Sequence, residues 1–207
     1  MRNKPDYSKE MELGGIVCGV DEAGRGPLAG PVIAAAVVLH PGGIPHGLND
    51  SKKLSPSARE RLYFEIETKC QVGVYAGSVA LIDHENILAA SLAAMRQAIL
   101  RLPCRPEHAL IDGNRLPSDL PCSGHAVIDG DALCLSIAAA SIVAKVLRDR
   151  LMVGLSPRYP VYGWAENKGY PTPAHRAALA RFGPSPHHRR SFRPVQQALD
   201  FGERPDN

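Results

Sequence analysis

Leu133 to Val153 is apolar almost all round for its first four turns. A helix without a polar face has to be covered on every side, so this segment predicts a core helix with other elements layered around it. The periodicity of the rest of the chain says what those elements are. Ile16 to Asp21 and Val32 to Leu39 are short apolar runs, and Val72 to Val79 alternates. With Ala109 to Ile111 and His125 to Ile128 they make five predicted strands. A helix is expected from Pro56 to Thr68, where Ser55 can cap and Pro56 can occupy the first turn. Another is expected from Asp83 to Arg101, whose Ile87, Leu88, Leu92, Met95 and Ile99 fall at helical spacing before Pro103 stops it. Short helices near Ala174 to Phe182 and Val195 to Leu199 follow. Strands first, then strand and helix in alternation, make an α/β domain. One domain over residues 13–201 is expected, with a helical, basic segment at about 155–201 and loose ends at 1–12 and 202–207.

With 44% hydrophobic and 22% charged residues, disorder and collagen-like structure are excluded. No apolar run approaches the ~20 residues of a membrane span, and the polar start Met1-Arg2-Asn3-Lys4 lacks a signal-peptide core. A cytoplasmic, monomeric protein without a membrane partner is expected. The five cysteines are scattered and without CxxC spacing, so reduced packing residues are expected. The net charge of +3 hides a division: from Ala140 onward 11 Lys and Arg face 5 Asp and Glu, against 13 and 16 before it. Acids early and bases late suit metal binding joined to recognition of a polyanion.

The first strand ends on two adjacent carboxylates, Asp21 and Glu22, in Gly19-Val20-Asp21-Glu22-Ala23-Gly24-Arg25-Gly26-Pro27. Negative charge at a sheet end serves no structural purpose, and cation sites are built this way. Adjacent strand residues face opposite ways, so the pair can share a site only where the strand ends or bulges, as the glycine turn would allow. Gly24 and Gly26 let the backbone approach a ligand, with a forked cationic donor, Arg25, between them. Asp112 and Asp131 are further acids at a strand end or beside glycine. Cleavage of a phosphodiester by two divalent ions needs several carboxylates converging on the metals, and hard Mg²⁺ or Mn²⁺ prefers such oxygen donors.

This segment resembles the opening motif of ribonuclease HII, the type 2 ribonuclease H family. The resemblance continues through Leu48-Asn49-Asp50-Ser51-Lys52-Lys53-Leu54, Leu110-Ile111-Asp112-Gly113-Asn114-Arg115, Gly130-Asp131, Ala139 to Lys145, Lys168-Gly169-Tyr170-Pro171-Thr172 and His188-Arg189-Arg190-Ser191-Phe192. It covers roughly Gly19 to Pro194 in the family's order, and a single chain suits the bacterial form. It implies the ribonuclease H-like fold with a mixed central sheet flanked by helices. It also implies a metal-dependent endonuclease that hydrolyses the RNA strand of RNA/DNA hybrids and cuts 5′ of single ribonucleotides in duplex DNA. The products would carry 5′-phosphate and 3′-hydroxyl ends, and the role would be ribonucleotide removal from DNA.

Asp21, Glu22, Asp112 and Asp131 match the family's four catalytic carboxylates, which implies two Mg²⁺ or Mn²⁺ ions; Asp21 is the expected bridging ligand, with Glu22, Asp112 and Asp131 completing the shells. Asp129 departs from the pattern and is read as peripheral. The resemblance gives Gly24-Arg25-Gly26 and Tyr170 the recognition of the junction between a ribonucleotide and a following deoxyribonucleotide. Only the 2′-hydroxyl separates the two sugars, so the glycine backbone must come close to it. Lys52, Lys53, Lys145, Lys168, Arg189 and Arg190 are expected phosphate contacts, which position a duplex without reading its sequence. Lys145, in the apolar helix, should pair with an acid or reach the site. His187 and His188 point apart and are not expected to bind metal. Gln196-Gln197-Ala198-Leu199-Asp200-Phe201 resembles peptides that dock on bacterial sliding clamps. Two alternatives stay open: a DNA nuclease or resolvase on the same fold, and a module that binds hybrids without cutting.

Overall fold

A computed structural model describes residues 4–202, without the side chains of residues 200–202. In chain order the elements are α1 (Ser8–Leu13), β1 (Val17–Ala23), β2 (Val32–Val38), α2 (Pro56–Lys69), β3 (Gln71–Gly77), α3 (Val79–Glu85) and α4 (Ile87–Leu100). Then follow β4 (His108–Asp112), β5 (Ser123–Val127), α5 (Leu135–Leu155), α6 (Trp164–Asn167), α7 (Pro173–Phe182) and α8 (Arg193–Gly202). The strands form one mixed sheet in the order β3-β2-β1-β4-β5. The β1–β2 and β2–β3 pairs are antiparallel, and β1–β4 and β4–β5 are parallel.

Every residue of β2 is buried, because the strand is covered on both faces. Val32, Ala34, Ala36 and Val38 pack with Ala90, Ala94, Met95 and Ala98 of α4. Ile33, Ala35 and Val37 pack with Leu62 and Ile66 of α2 and with Ala138 to Val146 of α5. Each large aliphatic side chain buried this way contributes about 1.5–3 kcal/mol. The predicted core helix is α5, lodged between α2 and the sheet. Its contact with β1 requires Gly19, where a Cβ would stand 2.1 Å from the carbonyl carbon of Ser136.

Two expectations are corrected. The segment from Asp83 to Arg101 is not one helix: Asn86, at φ 80°, ends α3 and starts α4, its side chain accepting from the N–H groups of Leu88 and Ala89 at 2.9 and 3.1 Å. The apolar period runs across the break, which is why periodicity hides it. Nor are residues 1–12 simply loose. Residues 1–3 lie outside the described residues, but α1 buries Glu10, whose Oε1 accepts from the N–H and hydroxyl of Ser136 at 2.8 and 2.6 Å. A carboxylate from α1 thereby caps α5, for which Cys134 provides no side-chain cap. At the other end Gly202 still belongs to α8, and residues 203–207 lie outside the described residues. All five cysteines are free. Among the described residues no helix is long and apolar enough to cross a membrane.

Candidate active site

The pairing of β1 with β4 stops at Val20 and Ile111, one residue before Asp21 and Asp112. Both acids therefore stand at the carboxyl ends of adjacent parallel strands, where ligands of open α/β sheets bind. The pairing of β1 with β2 runs on without a bulge to Ala23. The expected ending or bulge at Asp21-Glu22 is thus absent. The two acids line the same cavity because β1 has lost its β4 neighbour there and stands open on that side. Asp131 follows β5 in a short 3₁₀ turn, Gly130–Ala132, and the N–H of Gly130 donates to Asp112 Oδ1 at 2.8 Å.

The cavity, of about 370 Å³, is lined by Asp21, Glu22, Gly24, Arg25, Gly26, Lys52, Lys145 and Tyr170, together with Ser51 and Ser141. Lys52 joins it to a second cavity holding Asp50, Lys53, Asp129 and Asp131. Lys145 and Tyr170 join it to a groove of about 730 Å³ that also holds Arg59, Arg150 and Lys168.

Burial holds the Asp21 carboxyl well above the usual carboxylate range, and the charges of Glu22 and Asp112 push the same way. Glu22 is raised by burial and by Asp112 against the opposing Arg25, whose Nη1 lies 3.6 Å from Glu22 Oε1. Asp112 is raised by burial, against the lowering bond from Gly130. Asp131 is raised by burial and by Asp50, while Lys52 opposes the shift. Burial draws the Lys52 ammonium down, but Asp131, Asp50, Asp21 and Asp112 outweigh it, and the net shift is upward. Its Nζ stands 3.7 Å from Asp131 Oδ2. These are crowded acids short of positive charge, all with hard oxygen donors, and such a donor set fits Mg²⁺ or Mn²⁺. Among the described residues no three acids stand close enough to enclose one ion.

Arg189 is corrected. It is fully buried, and its guanidinium donates to the carbonyls of Gly24 (2.6 Å), Arg25 (3.1 Å), Pro27 (2.8 Å), Gly30 (2.9 Å) and Pro31 (3.2 Å). It cannot touch phosphate from there. With the carbonyls of Gly24 and Arg25 turned inward, the planar trans peptides turn the N–H groups of Arg25 and Gly26 outward. Arg148, which sequence reasoning passed over, lies beneath the same loop and donates to the carbonyls of Ala29, Pro31 and Lys168. Lys145, Asp149 and Arg150 on the same helix are charged too, so nothing local set Arg148 apart.

Gly24 sits at φ 107°, and a Cβ there would meet Arg148 Nε at 2.2 Å. At Gly26 a Cβ would lie 3.7 Å from the Tyr170 ring, so loop and tyrosine face each other across the cavity mouth. Lys145 does both things expected of it, pairing with Asp149 at 2.9 Å and lining the cavity. The Lys168 ammonium is tied to the Ala165 carbonyl, and Lys53 pairs with Asp50 at 3.5 Å. Arg190 is exposed but lines none of the three cavities. Ser51 and Ser141, bonded to each other at 2.9 Å, were also missed; a hydroxyl within the apolar run Ile137 to Ala144 was the available sign.

A mixed sheet carrying acids near the ends of its central parallel strands, beside a groove lined by both bases and acids, is the arrangement of a nuclease of the ribonuclease H-like class. Residues 18–195 match the family described as Ribonuclease HII, and the chain belongs to that family. It is 57% identical over 201 residues to a ribonuclease HII of Granulibacter bethesdensis, covering 94% of this chain and 91% of the relative. Ribonuclease H2 of Pyrococcus horikoshii shares the fold with a TM-score of 0.76 at 27% identity, covering 92% of this chain and 100% of that one. A chain of the PCNA:RNase HII complex from Archaeoglobus fulgidus gives 0.73 at 29%, covering 84% and 94%.

Proposed function

We propose that the protein hydrolyses the RNA strand of RNA/DNA hybrids and cuts duplex DNA 5′ of single embedded ribonucleotides, leaving 5′-phosphate and 3′-hydroxyl ends. The observation that carries this reading is the closeness of Gly26 to Tyr170 at a cavity that Asp21 and Glu22 also line. Asp21, Glu22, Asp112 and Asp131 would hold two divalent cations, Mg²⁺ or Mn²⁺. When bound, such cations would offset the negative charge of these carboxylates and would supply activation of a water and stabilisation of the leaving oxygen.

The chain's own residues do the rest. The outward N–H groups of Arg25 and Gly26 meet the ribonucleotide, where backbone donors can bond a 2′-hydroxyl. Tyr170 packs against the following sugar, and packs best when that sugar lacks the hydroxyl. Arg25, Lys52, Lys53 and Lys145 hold phosphates and fix the register, while Arg59, which donates to the carbonyls of Ser51 and Leu54, and Arg150, paired with Glu60, line the groove beyond them. Lys168 stays near that path with its ammonium committed to a carbonyl, and Arg190 is a peripheral contact.

The test is incubation with Mg²⁺ or Mn²⁺ and a DNA duplex carrying one ribonucleotide, beside an all-DNA duplex. Cleavage of only the first is expected. Cleavage of both would leave a DNA nuclease on the same fold, and cleavage of neither a binding module.

A second reading concerns Gln196 to Phe201, proposed to dock on a sliding clamp. The Archaeoglobus relative was solved with PCNA. The peptide falls on α8, where Gln196 and Gln197 are exposed and Val195 is buried; the side chains of residues 200 and 201 lie outside the described residues. Clamp binding unaffected by Phe201→Ala would remove this reading.

A further inference from the structure

Two donor-only groups determine the protonation of a buried histidine pair behind the cavity. The Ser185 N–H donates to His188 Nδ1 at 3.0 Å, so that nitrogen is an acceptor and the proton of neutral His188 sits on Nε2. The Trp164 indole N–H points at His175 Nε2 at 3.3 Å, so that nitrogen accepts as well. His188 Nε2–H therefore donates to His175 Nε2 at 3.1 Å, and His175 Nδ1–H to the carbonyl of Tyr170 at 2.9 Å. Both rings are essentially inaccessible to water, at 0 and 1% exposure.

Tyr162 and Trp164 pack against both rings, and His187 packs on Trp164. Among the described residues neither ring has a carboxylate partner. Burial holds both histidines below their ordinary range, and the charges of His175 and His187 lower His188 further, in keeping with two neutral rings.

The same stretch of chain reaches the opposite wall. His188 bridges to Ala29, the His187 carbonyl accepts from the N–H of Gly30, and the next residue, Arg189, binds the carbonyls of Gly24 and Arg25. We propose that residues 185–189 form a brace in which His188 and His175 are positioning residues. The relay holds Tyr170 by its backbone while Arg189 holds the glycine loop, and so sets the gap between the two groups that read the junction. This rests on the reading of Tyr170 given above.

The experiment compares cleavage of a single-ribonucleotide duplex with cleavage of a continuous RNA/DNA hybrid, as a rate ratio, for wild type, Tyr170→Ala, His175→Phe and His175→Asn. A misplacement of about 1 Å can cost as much as 10²-fold. His175→Phe should therefore lower the ratio by about tenfold or more, as Tyr170→Ala should. His175→Asn, which keeps a donor at the Nδ1 position, should recover most of it. If Tyr170→Ala lowers the ratio and His175→Phe does not, the brace is overturned while the reading of Tyr170 stands. If Tyr170→Ala leaves the ratio unchanged, that reading fails and the brace with it. Independently of any variant's folding, nitrogen NMR of the wild type should show His175 protonated on Nδ1 and His188 on Nε2. The opposite tautomers would overturn the relay.

Discussion

Arg189 and Gly24 lie 165 positions apart in the chain, yet the guanidinium donates to the glycine carbonyl at 2.6 Å. That contact turns a loop carbonyl away from the cavity and the following N–H toward it. A surface loop thereby becomes a fixed row of donors, supported from below by a buried cation.

Replacing Arg189 by Lys keeps the charge but gives up a fork that spans five carbonyls. Hydrogen bonds from charged donors contribute about 1.5–3 kcal/mol each, and a lysine replaces few of them. The expected loss is about 3 kcal/mol or more, measured by urea unfolding. Arg190→Ala, at an exposed position, should leave stability within about 0.5 kcal/mol.

Gly24→Ala meets two obstacles, a φ of 107° and an Arg148 side chain 2.2 Å from the new methyl. Strain of this kind costs of order 1–3 kcal/mol and displaces the loop. A lower Tm together with at least a tenfold slower cut at a single ribonucleotide is expected, read by differential scanning fluorimetry and single-turnover cleavage.

How much of this was legible beforehand depended on the range of the interaction. The four acids announce themselves locally, as polar residues at the ends of apolar strands or beside glycine, and α5 by its lack of a polar face. The break at Asn86 was hidden because the apolar period continues across it. The roles of Glu10 and Arg189, and two of the three carbonyl partners of Arg148, come from 100 or more positions away. No local pattern separates a buried arginine that binds carbonyls from an exposed one that binds phosphate.

Acid should weaken the fold through its histidines. Burial, with the charges of His175 and His187, holds His188 down to about 3, against 6.5 unfolded. Below pH 6.5 the unfolded chain takes up a proton that the folded one refuses, so stability falls progressively from pH 6.5 toward pH 3. From pH 7 to pH 5 this one group accounts for about 2 kcal/mol, and His175 acts in the same direction. Denaturant titrations at the two pH values, compared with the same pair for His188→Gln, isolate the contribution.

Asp21→Asn separates function from stability. Burial and two neighbouring acids raise the Asp21 carboxyl, so its ionised form is disfavoured in the fold and weakens it once pH exceeds the carboxylate range. The neutral amide removes that burden. In buffer with a chelator the variant should have a higher Tm than wild type, whereas added Mn²⁺ should raise the Tm of wild type more than that of the variant.

The most direct test is single-turnover cleavage of a duplex carrying one ribonucleotide, with Mg²⁺ or Mn²⁺, by wild type and Asp21→Asn at enzyme concentrations that bind all the substrate. The account predicts a cut 5′ of the ribonucleotide by wild type alone, with the duplex bound equally well by both proteins. Continued cleavage by Asp21→Asn at a comparable rate would contradict it.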